Sequence, residues 1–297
     1  MSDRGVVFDL GYTPHEGERR GRRGAILTTY RDGLYRVFGI RRKARKKIFP
    51  WLLVVFAVLP AVVFVGFAFL LSTFAPEADS PFGGHAEYFG ITGGVVLLFV
   101  ALAAPELLIP DRREGVLAVY SSRPLRPDDY VGIRAASLLT VIAGFMLIPQ
   151  VLMYIGFAAL SSEGFFQALG TNFDEIPKIL GAAAVYALAF APIGLLISTI
   201  ASRKAAATGI FLGVMLVGTA LAAALVEATG VPGHRYAALL GIAEHPTQVS
   251  DWIFGRVGSS DLIVANNGFD PWISLVVILL VAGVSSAVVV WRYRRMM

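Results

Sequence analysis

The sequence predicts an all-α membrane protein in which six transmembrane helices follow an amphipathic helix lying at the membrane interface. Three observations predict it. The 297 residues are 56% hydrophobic and 16% charged, against about 25% charged in ordinary soluble domains. The apolar residues fall into runs that reach the ~20 residues needed to cross a bilayer, and mean hydropathy is +0.67. Lys and Arg gather between alternate runs, as they do on cytoplasmic flanks. Composition thus excludes a soluble globular protein. The absence of cysteine excludes disulfides, thiolate metal sites, iron–sulfur clusters and cysteine nucleophiles.

Residues 1–48 form a basic cytoplasmic segment. The first apolar run begins at Phe49, too far along for a cleaved signal peptide, whose apolar region lies within the first ~30 residues, so this segment is expected to be retained. Residues 11–24 are rich in Gly and Arg and are expected to be flexible or to order on a partner. Over 25–40, Ile26, Leu27, Tyr30, Leu34, Val37 and Phe38 fall within about 120° of one another on a helical wheel, while Arg31, Asp32 and Arg36 point elsewhere. This predicts an interface helix, with Arg41, Arg42, Lys43, Arg45, Lys46 and Lys47 beside anionic lipid headgroups. It either anchors the topology or also contacts a cytoplasmic partner.

Residues 49–297 form the six-span domain, with spans at about 49–74, 88–109, 133–160, 178–201, 205–229 and 271–291. Only Ser202, Arg203 and Lys204 separate the fourth and fifth runs, which predicts a tight helical hairpin, since the combined run is far too long for one crossing. Of 26 Lys and Arg, 23 lie on one side of this topology and only Lys178, Arg235 and Arg256 on the other. Both termini are therefore expected in the cytoplasm of a cell membrane, in a bacterium. Ten acids, including Glu87, Glu175, Glu244 and Asp251, occupy the exoplasmic loops. The net charge of +5 is then a topology signal and not a nucleic-acid footprint.

The cytoplasmic pieces are about 48, 23, 3 and 6 residues long, far below the ~100–150 of a typical folded domain. None of the five lysines follows a glycine, so no phosphate-cradling Walker A loop exists. Any ATP used by this protein is bound by another chain. Within the loop 110–132, Val116, Leu117 and Tyr120 have helical spacing. Pro124 and Pro127 then interrupt the helix, and Asp128 and Asp129 are placed to cap span three. The prediction is a short helix across the cytoplasmic mouth, spanning about 111–126.

Arg113-Glu114-Gly115-Val116-Leu117, Ser122-Arg123-Pro124-Leu125, Asp129-Tyr130 and Arg134 resemble the coupling-helix region of permease subunits of ABC-2-type exporters, with valine at 116 where that family usually has threonine. The motif covers about 24 residues, and the topology matches along the whole chain. The resemblance implies an ABC-2-type transmembrane domain that works as a pair, with a second copy or a homologous permease, driven by two cytoplasmic ABC ATPase subunits that carry ATP and Mg. It implies ATPase-coupling roles for Arg112, Arg113, Glu114, Gly115, Leu117, Tyr120, Arg123, Pro124 and Arg126, and an interface-helix role for Tyr30, Leu34 and Phe38. It further implies short helices in the long exoplasmic loop 230–270, and as cargo a lipid, hydrophobic drug, peptide or envelope precursor.

Within the spans, titratable groups near the midplane would mark an ion-coupled carrier, but only Glu106 and Glu227 are candidates and both lie near span ends. Glu106 is read as an interfacial ion pair or cap, or alternatively as a latch between the coupling helix and span two. Gln150 and Tyr154 share a face of span three and either line a translocation path or hydrogen-bond between helices beside Pro149. Pro60, Pro105, Pro149 and Pro192 mark sites where the first four spans can bend. Gly209 and Gly213 form a GxxxG pair suited either to internal packing or to a homodimer seam. The histidines show no close metal-ligand pair, and no catalytic cofactor or active site is expected on this chain. The rival readings are a non-transporting sensor or scaffold coupled to the same ATPase and, further off, a polytopic membrane enzyme.

Overall fold

The structure is a computed structural model that describes residues 21–40, 45–75, 78, 82, 84–121, 125–227 and 233–297. Residues 11–20 of the Gly/Arg-rich segment, the start of the basic run at 41–44, and Arg123 with Pro124 lie outside the described residues. The described chain is helical, without strands: α1 (Gly21–Val37), α2 (Arg45–Phe74), α3 (Gly84–Arg113), α4 (Leu117–Ser121), α5 (Pro127–Leu160), α6 (Phe165–Thr171), α7 (Glu175–Ile200), α8 (Lys204–Leu212), α9 (Gly218–Glu227), α10 (His245–Ile253), α11 (Ile263–Asn266) and α12 (Pro271–Met296). Six helices are long and apolar enough to cross a membrane: α2 from Pro50, α3, α5, α7, the continuous run Lys204–Glu227, and α12.

The prolines expected to bend the first four spans all sit inside continuous helices. Span five is interrupted differently, by a π-helical segment Gly213–Val217 between α8 and α9. π-segments arise where an extra residue is accommodated within a helix, and hydropathy carries no trace of one.

Small residues decide which spans lie at the centre. In α7, 72% of the apolar window is buried, whereas in span five the figure is 17%. A Cβ on Gly194 of α7 would come 2.9 Å from Val100 and 3.0 Å from Ala104 of α3, and one on Gly93 of α3 would come 2.8 Å from the Tyr186 ring of α7. Without a hydrophobic driving force between helices in lipid, such close backbone approach and its dispersion contacts hold helices together. Tyr186 adds a hydrogen bond from its hydroxyl to the Phe89 carbonyl at 3.0 Å. Spans one, five and six surround this pair and leave most of their apolar surface outward.

Two helices run further than the hydropathy pattern predicts. α3 continues to Arg113, so Asp111, Arg112 and Arg113 form its last turn and are not part of the short helix. Gly115, at φ +69°, turns the chain in a conformation other residues disfavour, and only Leu117–Ser121 remain for α4. α5 begins at Pro127 and has 34 residues, about 51 Å at 1.5 Å per residue, well beyond a ~30 Å hydrocarbon core. Its first turns therefore stand clear of the apolar layer. Asp129 accepts a hydrogen bond from the Arg126 backbone N–H at 2.9 Å, closing the helix start as expected. Asp128 instead pairs with Arg294 of α12 at 2.7 Å. α1 and the C-terminal end of α12 thus lie at one end of the bundle, called here the α1 end.

The opposite, far end carries α6, which hydropathy did not reveal, and an ordered assembly between spans five and six. A 3₁₀ helix His234–Leu240, α10 and α11 make up that assembly, in keeping with the short helices implied for loop 230–270. His245 is fully buried there, bonded through its Nδ1 to Ser274 at 2.6 Å and through its Nε2 to the Leu239 carbonyl at 3.1 Å. Gln248 donates to the Phe269 carbonyl at 2.7 Å, and Glu244 accepts from the Ile263 backbone N–H at 2.8 Å, capping α11.

Candidate functional site

The most unusual chemistry in the described residues is a buried charge cluster at the α1 end. Asp111 and Arg134 have fully buried side chains and meet at 2.7 Å. Two unpaired buried ions would cost several kcal/mol each, a cost that a pair offsets only with good geometry and further hydrogen bonds. Those bonds are present. Asp111 accepts from Arg36 Nη1 at 2.6 Å and from the Tyr130 hydroxyl at 2.7 Å. Arg134 reaches Asp32 at 3.1 Å, the Tyr120 hydroxyl at 3.3 Å and the Thr29 carbonyl at 3.3 Å. Its guanidinium also lies 5.5 Å from the Tyr130 ring centre, a cation–π distance.

Each member comes from a different part of the chain. Asp111 is on the overshooting turn of α3, Tyr120 on α4, Tyr130 and Arg134 on the overshooting start of α5, and Asp32 and Arg36 on α1. The Tyr120, Tyr130 and Tyr293 rings follow one another at centroid distances of 5.3 Å, carrying the contact into α12. One compact cluster therefore touches five helices. Burial and the neighbouring Arg134 pull the pKa of Arg36 down, but Asp111 and Asp32 outweigh them and hold it above its ordinary value. Burial, followed by the negative charge on Asp111, raises the phenol of Tyr120, so it stays protonated.

α1 docks differently from its predicted apolar face. The buried stripe is Thr29, Gly33 and Val37, while Leu27 is exposed. Tyr30, Leu34 and Phe38 are only partly buried; Leu34 and Phe38 border the core, and Tyr30 bonds Thr140 at 2.8 Å. The reason is steric. At Gly33 the backbone comes so close to α5 that a Cβ would lie 2.7 Å from the Cβ of Ser137, and only a stripe of small residues permits that approach. Asp32 and Arg36, which lie off the apolar arc of the helical wheel, are thereby turned into the cluster.

The other residues singled out by sequence are placed as follows. Arg112 hydrogen-bonds the carbonyls of Ser198, Thr199 and Ala201. It thus closes the C-terminal end of α7, where unpaired carbonyls and the helix dipole favour a cation, rather than standing on the coupling helix. Glu106 bonds Lys204 at 2.6 Å, which joins span two to the start of span five and not to α4. Arg113 and Glu114 are exposed, and Leu117 and Tyr120 of α4 pack against the core from outside. Arg126 is the residue before the first turn of α5, and its backbone N–H donates to the capping Asp129. A Cβ on Gly209 or Gly213 would meet nothing within 4 Å among the described residues.

Gln150 and Tyr154 take part in hydrogen bonds between segments at the far end. Gln150 is fully buried and donates to the His85 carbonyl at 3.2 Å, while its Oε1 meets His85 Nδ1. The Tyr154 hydroxyl donates to the Leu169 carbonyl of α6 at 2.6 Å, and Tyr154 lines a cavity of about 310 Å³. No group of three metal-ligating side chains occurs among the described residues.

Asp111 and Arg134 were not among the predicted site residues. Their sequence signals were a charge of each sign at the edges of the apolar runs of spans two and three and, for Arg134, its place at the end of the motif that carries the resemblance. Neither a protein-family model nor a curated protein matches the chain.

Proposed function

We propose that this protein is the membrane-spanning permease of an ATP-driven ABC exporter, paired with a second permease copy and driven by two cytoplasmic ATPase subunits that bind ATP and Mg. The observation that carries the reading is the Asp111–Arg134 cluster. It ties the short α4, through the Tyr120 hydroxyl that accepts from Arg134, to the charges joining α1, α3 and α5, and through the tyrosine rings to α12, so a push on α4 from outside is delivered to three of the six spans together. A loop that served only to fix topology would need no such connection. Exposed Arg113, Glu114 and Val119 beside α4 offer a mixed polar and apolar surface to the ATPase. Gly209 and Gly213 on outward-facing span five support a seam with the second copy. The scarcity of charge within the spans supports an amphipathic or apolar cargo.

The test is ATPase activity of the complex purified with its partner ATPase in lipid nanodiscs. Tyr120→Phe, which keeps the ring and removes the bond to Arg134, should lower permease-dependent ATPase activity several-fold while the two proteins still co-purify. Unchanged activity in Y120F and in a Tyr120→Ala variant, or an ATPase rate indifferent to the permease, would overturn the coupling role.

A further inference from the structure

The cavity of about 310 Å³ at the far end is lined by the first turn of α3, the last turns of α5, α6, the start of α7 and the segment following α10. Its lining combines apolar Phe157, Ala158 and Phe254 with polar His85, Glu175 and Arg256. The His85 ring is held edge-on to Phe157 at 5.7 Å, and the buried Gln150 fixes its protonation pattern. Because Gln150 Nε2 must donate to the His85 carbonyl at 3.2 Å, the amide oxygen is the atom that faces His85 Nδ1. Nδ1 therefore carries the proton, and Nε2 is left as an acceptor. The Glu175 carboxylate, whose Oε1 also holds Lys178 at 2.9 Å, supplies further acceptor capacity. Arg256 supplies a permanent positive charge on the same cavity.

Two acceptors and a guanidinium in one half-apolar cavity match a ligand with an N–H-bearing ammonium and a phosphate a few bonds apart. The neighbouring α6 indicates how such a ligand arrives. Phe166 and Phe173 are exposed at 85% and 66%, beside Ala168 and Asn172 that line the cavity. Exposed phenylalanines on such a short segment can enter the boundary between headgroups and acyl chains.

We propose that this cavity binds the ethanolamine-phosphate headgroup of a membrane lipid, with the ammonium on His85 Nε2 and Glu175 and the phosphate on Arg256. The inference stands on the cavity alone and does not depend on ATPase coupling. Choline headgroups carry the same phosphate but no N–H, so the two acceptors discriminate against them.

The test uses the full-length protein in nanodiscs of phosphatidylcholine, with phosphatidylethanolamine or phosphatidylglycerol titrated in. Retained lipids are counted by native mass spectrometry and thermal unfolding is followed in parallel. Phosphatidylethanolamine should be retained at least tenfold more strongly than phosphatidylcholine and should raise the melting temperature saturably. Glu175→Gln should remove that preference, and Arg256→Gln should lower the retention of both lipids several-fold. Soluble phosphoethanolamine, added to protein in phosphatidylcholine alone, separates the two sources of the chemistry: a saturable shift assigns the site to the free zwitterion, and no shift assigns it to the lipid. Equal retention of ethanolamine and choline lipids by the wild type would overturn the proposal without requiring any variant to fold. A preference that persists in Glu175→Gln, or lipid retention unchanged in Arg256→Gln, would overturn it as well.

Discussion

At the α1 end, Asp111, Arg134 and Arg36 meet as full charges drawn from three helices; at the far end, His245, Ser274 and Gln248 meet as neutral groups drawn from one loop assembly and the start of α12. Both ends bury polar atoms, but the consequences differ. A buried ion pair leaves an uncompensated charge when one partner is lost or moved, so the helices it joins must move together. Neutral hydrogen bonds are each worth ~1 kcal/mol net, so a far-end link such as that from Gln150 of α5 to His85 of α3 is lost at less cost. The α1 end thus joins its helices through buried charge, and the assembly at the far end is held through neutral groups.

Breaking the ion pair sharpens this contrast most. Asp111→Asn should destabilise the protein by ~3–5 kcal/mol, the usual cost of stranding a buried charge, read as a drop in thermal unfolding temperature in lipid nanodiscs. Adding Arg134→Met to the same chain should recover a large part of the loss, and the thermodynamic cycle between the two changes measures the coupling. Next in size is Gly33→Leu, which forces α1 away from Ser137 and should cost ~1–3 kcal/mol through overpacking. Greater protease sensitivity of α1, with the six spans still protected, would report its undocking.

The far end should instead respond to pH. Burial lowers the pKa of His245 below its ordinary 6.5, so between the two values the unfolded chain binds more protons than the folded one. Its stabilising contribution is present above pH 6.5 and is lost as pH falls toward the folded value. Glu244 and Asp251 have the opposite sign: burial raises both, so their contribution is present below their unfolded values and is lost as pH rises through the folded ones. Comparing wild type with His245→Gln isolates the histidine, and the decline in melting temperature below pH 6.5 should flatten in H245Q. The smallest effect is expected at Arg294→Ala. Its pair with Asp128 is solvent-exposed, and its removal should leave the melting temperature unchanged within error despite the 2.7 Å geometry.

The spans were legible in the sequence to within a few residues at most boundaries, because a run of apolar side chains is a local property. The start of span three was not. Hydropathy begins it at 133, whereas the helix starts at Pro127, since helix propensity and capping by Asp129 continue where hydrophobicity stops. α1 was legible as an amphipathic helix, but the stripe by which it docks, Thr29, Gly33 and Val37, was not, because the moment of its apolar residues ignores the close approach that Gly33 allows. Glu106 was read as an ion pair, a cap or a latch, and spacing alone could not single out Lys204, 98 positions away, as a partner.

The sequence by itself determined the number of membrane-crossing helices, the hairpin at 202–204 and the segregation of basic from acidic connections, since each follows from sums over neighbouring residues. Only the tertiary structure decided which charges leave water. Arg134 and Asp111 stand 23 positions apart, and each would be an ordinary solvated flank if α3 stopped at 109, α5 started at 133 or α1 docked on its apolar face. Burial of a charge requires all three segments to close around it at once, and that coincidence exists only in three dimensions.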